Sequence, residues 1–530
     1  MRISKCLPPT GYDQVRIKSL SLLALLLTWA FLSACGEERS QRNDAIVVGI
    51  GTNPTQLDPR LSQDAISSKV QRFIFSRLIS QDHEGRIVLE LAEKWERPTP
   101  LVHRFELKRG VRFHNGEALT SSDVKYTFDS IRDPSLASPK AAGLKELARI
   151  ETPTPHRVVF HLTEPSASFA ESLMVGILPK SARKAGSRFA QKPVGTGPFE
   201  FVEFTPDVRI TLKAFAGHFG GKPAFERLIF RILPEETIRV LELESGGVDF
   251  LQNAFSPDIL PRFIKNKRLK IRKRLGTNFS YIGFNMSDPI LSKLEVRRAI
   301  AHAIDRRPIV RFIHKGLVEE ADSLLSPDHW AHQKGLPSYS HDPALAVKIL
   351  DAAGFPDPDG PGPKPRFTLV YKTSQNELGR RIATVFGHQL ERVGIKMKIR
   401  SYEWGTFFGD IRNGNFQLYS LTWVGISDPD IYRYIFHSRF TPPAGLNRGL
   451  YKNARMDTLL EKARQPIAPG ARARIYGEVQ RILGRELPYI NLWHSVNVAV
   501  FDRRISGYRV FPDADFISLA KATLSPATRR

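Results

Sequence analysis

The chain has 530 residues, a formal net charge of +24, a hydrophobic fraction of 42% and a charged fraction of 25%. That is an ordinary globular composition, long enough at roughly 150 residues per domain for two to four domains or lobes. Beyond the first 35 residues no apolar run is long enough to cross a bilayer, which excludes a channel or permease. The positive charge raises the question of nucleic acid. Basic residues are interspersed along the whole chain, however, with no zipper-type basic region, zinc-finger spacing or aromatic RNA-binding motif, so no nucleic-acid partner is expected. The charge fits anionic lipid headgroups or acidic ligands better, through a long-range and salt-sensitive attraction.

In chain order, the first feature is the apolar run Leu22 to Cys35 (LLALLLTWAFLSAC), preceded by Arg2, Lys5, Arg16 and Lys18. The stretch without a charged residue runs only from Ser19 to Gly36. That is short for a spanning helix, which needs about 20 apolar residues. A positive flank, an apolar centre and a Leu-Ser-Ala-Cys ending resemble the signal peptide and lipobox of bacterial lipoproteins. An uncleaved anchor helix is the competing reading. The only cysteines are Cys6 and Cys35. Cleavage before Cys35 would remove the first, and lipidation of Cys35 would consume the second, leaving a domain without thiols, suited to an oxidising compartment. Residues 36–44 (GEERSQRND) read as a tether.

Ala45 to Ile50 (AIVVGI) then reads as a buried strand, followed by turns at Asn53-Pro54 and Asp58-Pro59. His103 to Lys108 is strand-like, Asn115-Gly116 marks a tight turn, and Thr120 to Asp123 opens a helix as a capping box. Arg157 to Leu162, Phe199 to Phe204, Arg209 to Phe215 and Leu228 to Leu233 read as further strands, and Thr237 to Gly246 as a helix. Asn278 to Asn285 alternates as a strand does. After it Val296, Ala299, Ile300, Ala303 and Ile304 fall at helical spacing. Asp342-Pro343 and Gly354 bracket a helix over 343–353. The strand Phe367 to Lys372, a helix from Asn376 to Val393 and the strand Ile395 to Arg400 form a β-α-β run that predicts a sheet covered by helices. Strand patterns return after about Val496.

Several separated blocks resemble one family, the solute-binding proteins that serve ABC importers of oligopeptides, dipeptides and nickel (solute-binding protein family 5). They are Leu91-Ala-Glu-Lys-Trp95, Phe105 through Gly116, Leu119 to Val124, Val194-Gly-Thr-Gly-Pro-Phe199, Phe284-Asn285 with Val296 to Ala301, Ala303-Ile-Asp305, and Asp342 to Gly360. The resemblance spans about 45 to 520. It implies an α/β fold, a two-lobed periplasmic-binding-protein clamshell of mixed sheets flanked by helices, with an extra inserted subdomain. The expected division is a signal peptide over 1–35, a first lobe over 45–275 with the insert at about 60–185, a second lobe over 276–495, and a return of 496–530 to the first lobe. Such proteins close on a solute by hinge bending and deliver it to a permease without altering it.

The segment Leu421 to Asp430 resembles the family's ligand loop, in which a Trp is followed three positions later by an Asp that anchors a peptide's α-amino group. Trp423 matches the Trp, but Ile426 stands where the Asp is expected. Either Asp428 takes over the amine from a shifted loop, or the solute has no free peptide amine; a plain turn at Ser427-Asp-Pro is the bland alternative. Trp423 can stack on a ligand or pack in a core. Trp404, Trp493, His494 and Asn253 are cleft candidates by the family's positions, each with a structural reading beside it.

His329-Trp-Ala-His332 is a weak metal signal without a cysteine or a placed carboxylate, and Asp357-Pro-Asp-Gly360 lacks the acidic twelfth position of a calcium loop. No metal site and no cofactor are expected. The chain has no Gly-x-Ser-x-Gly elbow, no His-Glu-x-x-His, and no phosphate-binding or dinucleotide-binding glycine motif. The sequence therefore reads as a monomeric, lipid-anchored binding lipoprotein on the periplasmic or cell-surface side of a membrane, not an enzyme. Its partners would be a small or peptide-like solute and ABC permease subunits. A nickel or metal-chelate receptor and a lipid-anchored hydrolase are the alternatives.

Overall fold

A computed structural model describes residues 44–166, 168–360, 362–442, 445–465 and 469–525. The expected signal peptide, Cys35 and nearly all of the tether lie outside the described residues. Among those described, no helix is long and apolar enough to cross a membrane.

The strand Ala45–Ile50 is buried at every position. Alternate side chains feed two cores: Ile46, Val48 and Ile50 on one face, and Val47 on the other. Burial on both faces explains why the sequence is continuously apolar there rather than alternating. Its neighbours are the parallel strand Arg227–Ile232 and, on the other side, Phe250–Gln252. Antiparallel strands Arg209–Ala214 and Phe199–Thr205 complete that end of an eleven-stranded sheet. At the far end the parallel pair Phe367–Ser374 and Ile395–Tyr402 is joined by the helix Glu377–Glu391. Leu418–Trp423 follows as the next strand inward. The two ends are the two lobes of the molecule.

Two long antiparallel strands, Leu269–Phe284 and Tyr489–Asp502, run between the lobes and pair with each other. Their pairing breaks between Leu275 and Phe279. There the polar backbone finds partners in both lobes: Thr277 N donates to Pro512 O at 3.1 Å, and Thr277 O accepts from Ile426 N at 3.1 Å. Gly276 marks the break, because a Cβ added there would lie 2.9 Å from Ser495 O. A bulge whose hydrogen bonds go to neighbouring segments is a place where a sheet can bend at little cost.

A separate four-stranded antiparallel sheet stands beside the first lobe. Its order is Ala92–Thr99, Val102–Leu107, Arg157–Leu162 and Leu147–Thr154. The helix Ser121–Arg132 starts with the capping box Thr120/Asp123, and the other Asp123 oxygen accepts from Lys180 N at 2.7 Å. Phe105, Phe128, Phe160 and Phe169 fill a core of its own, with edge-to-face ring contacts such as Phe128–Phe160 at 5.4 Å. The strand expected from Asn278 begins nine residues earlier, at Leu269. Lys270 to Arg274 is too charged to show an alternation, and its pairing partner decides its conformation.

Candidate functional site

Trp423 ends the strand Leu418–Trp423 beside the break in the crossing strands, paired in register with Phe279. Its ring stacks on Tyr281 with centroids 6.1 Å apart and planes at 9°. On Trp423 lies the guanidinium of Arg448, 4.7 Å from the ring centre, and Arg448 also covers Phe408 at 5.3 Å. Trp404 in turn stacks on Phe408 at 5.5 Å and is 55% exposed. Two of the expected tryptophans are thus joined through one cation into a ladder that runs from solvent to the second-lobe core. Arg448 is buried and has no carboxylate partner among the described residues. Burial works against its charge, but the oxygens of Tyr281, Tyr419 and Tyr489 around it raise its pKa.

Beyond Trp423 the chain turns at Gly425, whose φ of +69° suits glycine and whose N–H donates to Asn278 Oδ1 at 2.9 Å. Ile426 is buried beneath the turn. Asp428 makes a two-pronged ion pair with Arg472, at 2.8 and 3.1 Å. Its carboxylate already has a protein cation, so a solute amine meeting Asp428 would share it with Arg472. His329 Nε2 lies 3.1 Å from Ser427 O, and His332 Nε2 lies 2.9 Å from Asp322 Oδ1. Each histidine of the expected weak metal pair has its own protein partner. Among the described residues no group of His, Cys, Asp or Glu is arranged to hold a metal ion.

The same loop, together with Arg464 just after the helix Ala454–Ala463, meets the segment that carries the four-stranded sheet. Arg464 Nη2 reaches Glu146 Oε1 at 3.1 Å, with both side chains nearly buried, and Glu164 at 3.6 Å. Ser168 Oγ donates to Asp430 Oδ2 at 3.4 Å. Glu171 faces Ser427 and Asp428; burial first, and then the Asp428 charge, push its pKa up to about 8. Asp430 is 2% exposed, and burial followed by the Asp428 charge raises its pKa as well. The lobes are shut on each other along this edge.

The remaining expected residues sit elsewhere. Asn253, at φ +54°, accepts from Val498 N at 2.8 Å and donates to Asn497 Oδ1 at 2.9 Å, stitching the returning strand to the first lobe. Trp493 is buried against His314 at 4.7 Å. His494 is buried with Nε2 3.1 Å from Ser323 O, and burial lowers its pKa to about 4. Sequence reasoning did not find Arg448, Arg472, Arg464, Glu171 or Asp430. Asp430 was visible in Asp428-Pro-Asp430, whereas Glu171 lies in a four-residue helix with no local signature. A cavity of about 1150 Å³ lined by His83, Lys108, His218 and Arg509 takes no residue from the second lobe and is separate from this edge.

Two lobes on one sheet, joined through two interrupted strands and closing on a loop of aromatic and charged residues, define a binding protein of the clamshell type. Residues 86–441 match the family described as bacterial extracellular solute-binding proteins, family 5. The chain belongs to that family. It is 28% identical over 539 residues to the oligopeptide-binding protein AppA of Bacillus subtilis, covering 96% of this chain and 98% of that protein. It is 26% identical over 491 residues to the dipeptide-binding protein of Escherichia coli, covering 87% and 90%. The solved structure of the Bacillus protein in complex with a nonapeptide superposes with a TM-score of 0.72 and 26% identity, covering 91% of this chain and 99% of that one.

Proposed function

We propose that this protein is the exported substrate-binding subunit of an ABC importer, that it captures a peptide between its lobes, and that it passes the peptide unaltered to a membrane permease. The observation that carries this reading is the interrupted pair of crossing strands together with ion pairs, Arg464–Glu146 above all, that exist only when the lobes meet. A solute drives closure only by binding the shut form better than the open one, and a contact made in one form alone supplies that difference. The Trp404–Phe408–Arg448–Trp423 ladder offers ring faces and a fixed positive charge to side chains and carboxylate of a peptide. Relatives named for peptides align over nearly the whole chain, which favours a peptide over a metal chelate.

In this reading Cys35 carries the lipid anchor, residues 36–44 tether a monomer to the membrane, and the lobes divide at about 275 and 495, with the insert at about 60–185. No bond of the solute changes. The test is mass spectrometry of what co-purifies with the native protein, followed by titration calorimetry with a mixed short-peptide pool. Intact peptides bound at micromolar or tighter affinity support capture. Peptides recovered cleaved, or no peptide binding at all, end the reading.

A further inference from the structure

We propose that the end of the first lobe where the chain enters rests on the anionic surface of a bilayer, with the outer strand of a short hairpin dipping into the headgroup layer and a basic cavity behind it taking up phosphate oxygens. This contact is separate from solute capture and draws on the anchoring reading only for the reach of the tether. The strand Ala45–Ile50 starts at this end. Asp44 O accepts from Glu226 N at 2.9 Å and from Arg227 N at 3.1 Å, and Lys222 and Ala224, just before them, line the cavity of about 1150 Å³. This end lies away from the break in the crossing strands, because the partner of Phe250–Gln252 runs from Phe501 opposite Phe250 to Ala499 opposite Gln252, and onward to Val496 beside the break.

Two features set this end apart. The hairpin strand Ile87–Leu89 is apolar at all three positions and exposed at all three, at 42%, 38% and 39%, while its partner Ile79–Gln81 turns inward. Contiguous exposed apolar residues are a poor match for water. Val88 and Leu89 also line the cavity, so the apolar strand and the basic lining form one surface. That lining carries six Lys or Arg against three Asp or Glu. Of the acids, Asp82 is held by Arg86 and Glu90 by Arg72. Arg109, Arg509 and Lys521 are exposed and make no ion pair among the described residues; Arg509 Nη1 has only the ring of His83 beside it, at 3.4 Å. Uncommitted cations next to an exposed apolar strand are the combination that anionic bilayers attract, with phosphates meeting the charge and the interface meeting the apolar side chains. Screening confines the attraction to about 8 Å at physiological salt, so the face must be held close. Residues 36–44 span at most roughly 32 Å when fully extended. A lipid on Cys35 therefore keeps the entry end within reach of the membrane while the gap stays at the other end of the lobe.

The experiment uses the full chain with Cys6→Ser and Cys35→Ser, which rules out lipidation and leaves one thiol, introduced by Val88→Cys and labelled with an environment-sensitive fluorophore. A control protein carries the probe through Val208→Cys, a residue 53% exposed whose carbonyl accepts from Ile232 N at the gap end of the same lobe. Vesicles of phosphatidylcholine and phosphatidylglycerol in equal parts should shift the emission of the probe at 88 to the blue, vesicles of phosphatidylcholine alone should not, and the probe at 208 should stay unchanged with both. Arg109→Glu together with Lys521→Glu should raise the lipid concentration at half-shift about tenfold or more. Ile87→Cys carries the probe if the Val88 variant does not fold. No shift at 88 overturns the proposal and leaves the strand to a protein partner. An equal shift with neutral vesicles or at 208 assigns the contact to the apolar N-terminal run and also overturns it, as does a half-shift unmoved by the charge reversals or a shift produced by inorganic phosphate without vesicles. Peptide binding, measured on the same labelled protein, should be unchanged throughout, so failure here and failure of the capture reading are told apart.

Discussion

Replacing Arg464 by methionine tests whether the contact between lobes controls closure. The Arg464 and Glu146 side chains are 10% and 7% exposed and their atoms lie 3.1 Å apart, one from each lobe. Methionine keeps the bulk of the stem and leaves Glu146 facing the second lobe with only half-exposed Lys145, at 3.7 Å, for company. Leaving one member of a buried pair without its partner costs about 2–4 kcal/mol. In the open form Glu146 is free to take up water, so the cost falls on the shut form. At 1.4 kcal/mol per tenfold, the shut population and the solute affinity should drop by about 30- to 1000-fold. Calorimetric titration measures the affinity, small-angle scattering of the unliganded protein measures compaction, and a scan measures the thermal midpoint. An Arg464→Met protein that binds within threefold of the original would refute the reasoning, as would one that loses thermal stability while keeping its affinity.

Closure should also depend on pH. With its pKa raised to about 8 in the shut form, Glu171 keeps a proton that the open form releases near the ordinary carboxylate value, so shutting is favoured at low pH and weakens as pH rises through 8. Scattering at pH 6.5 and 8.5 should show the more compact molecule at 6.5; the reverse order contradicts the assignment. His103 and His494 are buried and held to a pKa of about 4 by that burial, so stability present above the unfolded value of about 6.5 should be lost as pH falls from there towards 4. Thermal scans across that range check it, with His103→Phe expected to flatten the slope. Phe160→Ala should cost about 3–5 kcal/mol by opening a cavity under the insert's sheet, seen as a lower denaturation midpoint, possible to separate from binding because the residue is remote from the loop.

Most of the framework was legible because its signals are local. The strand Ala45–Ile50, the capping box at Thr120, the stop at Gly354 and the strand Ile395–Tyr402 declare themselves through apolar runs and end residues. The strand Leu418–Trp423 was read only as part of a ligand loop, since its partners Phe279 to Phe284 lie well over a hundred residues away and its own pattern is mixed. The binding loop was found through Trp423, but its electrostatics were not. Asp428 is defined by Arg472 and Glu171, one 44 positions later and the other in the inserted subdomain, and no spacing rule connects them. Likewise Trp493 and His494 adjoin in sequence, yet one packs on His314 and the other turns to Ser323, which only the sheet determines.

The placement of the two crossing strands also governs the order in which the molecule can assemble. The strand Phe250–Gln252 gains its outer neighbour only when Ala499–Phe501 arrives, after the whole second lobe has been made. The parallel strands Phe367–Ser374 and Ile395–Tyr402, joined by the helix between them, can organise as soon as they emerge, while Phe250–Gln252 must wait with an open sheet edge for nearly 250 further residues. A truncation that removes only the tail therefore strikes the lobe made first.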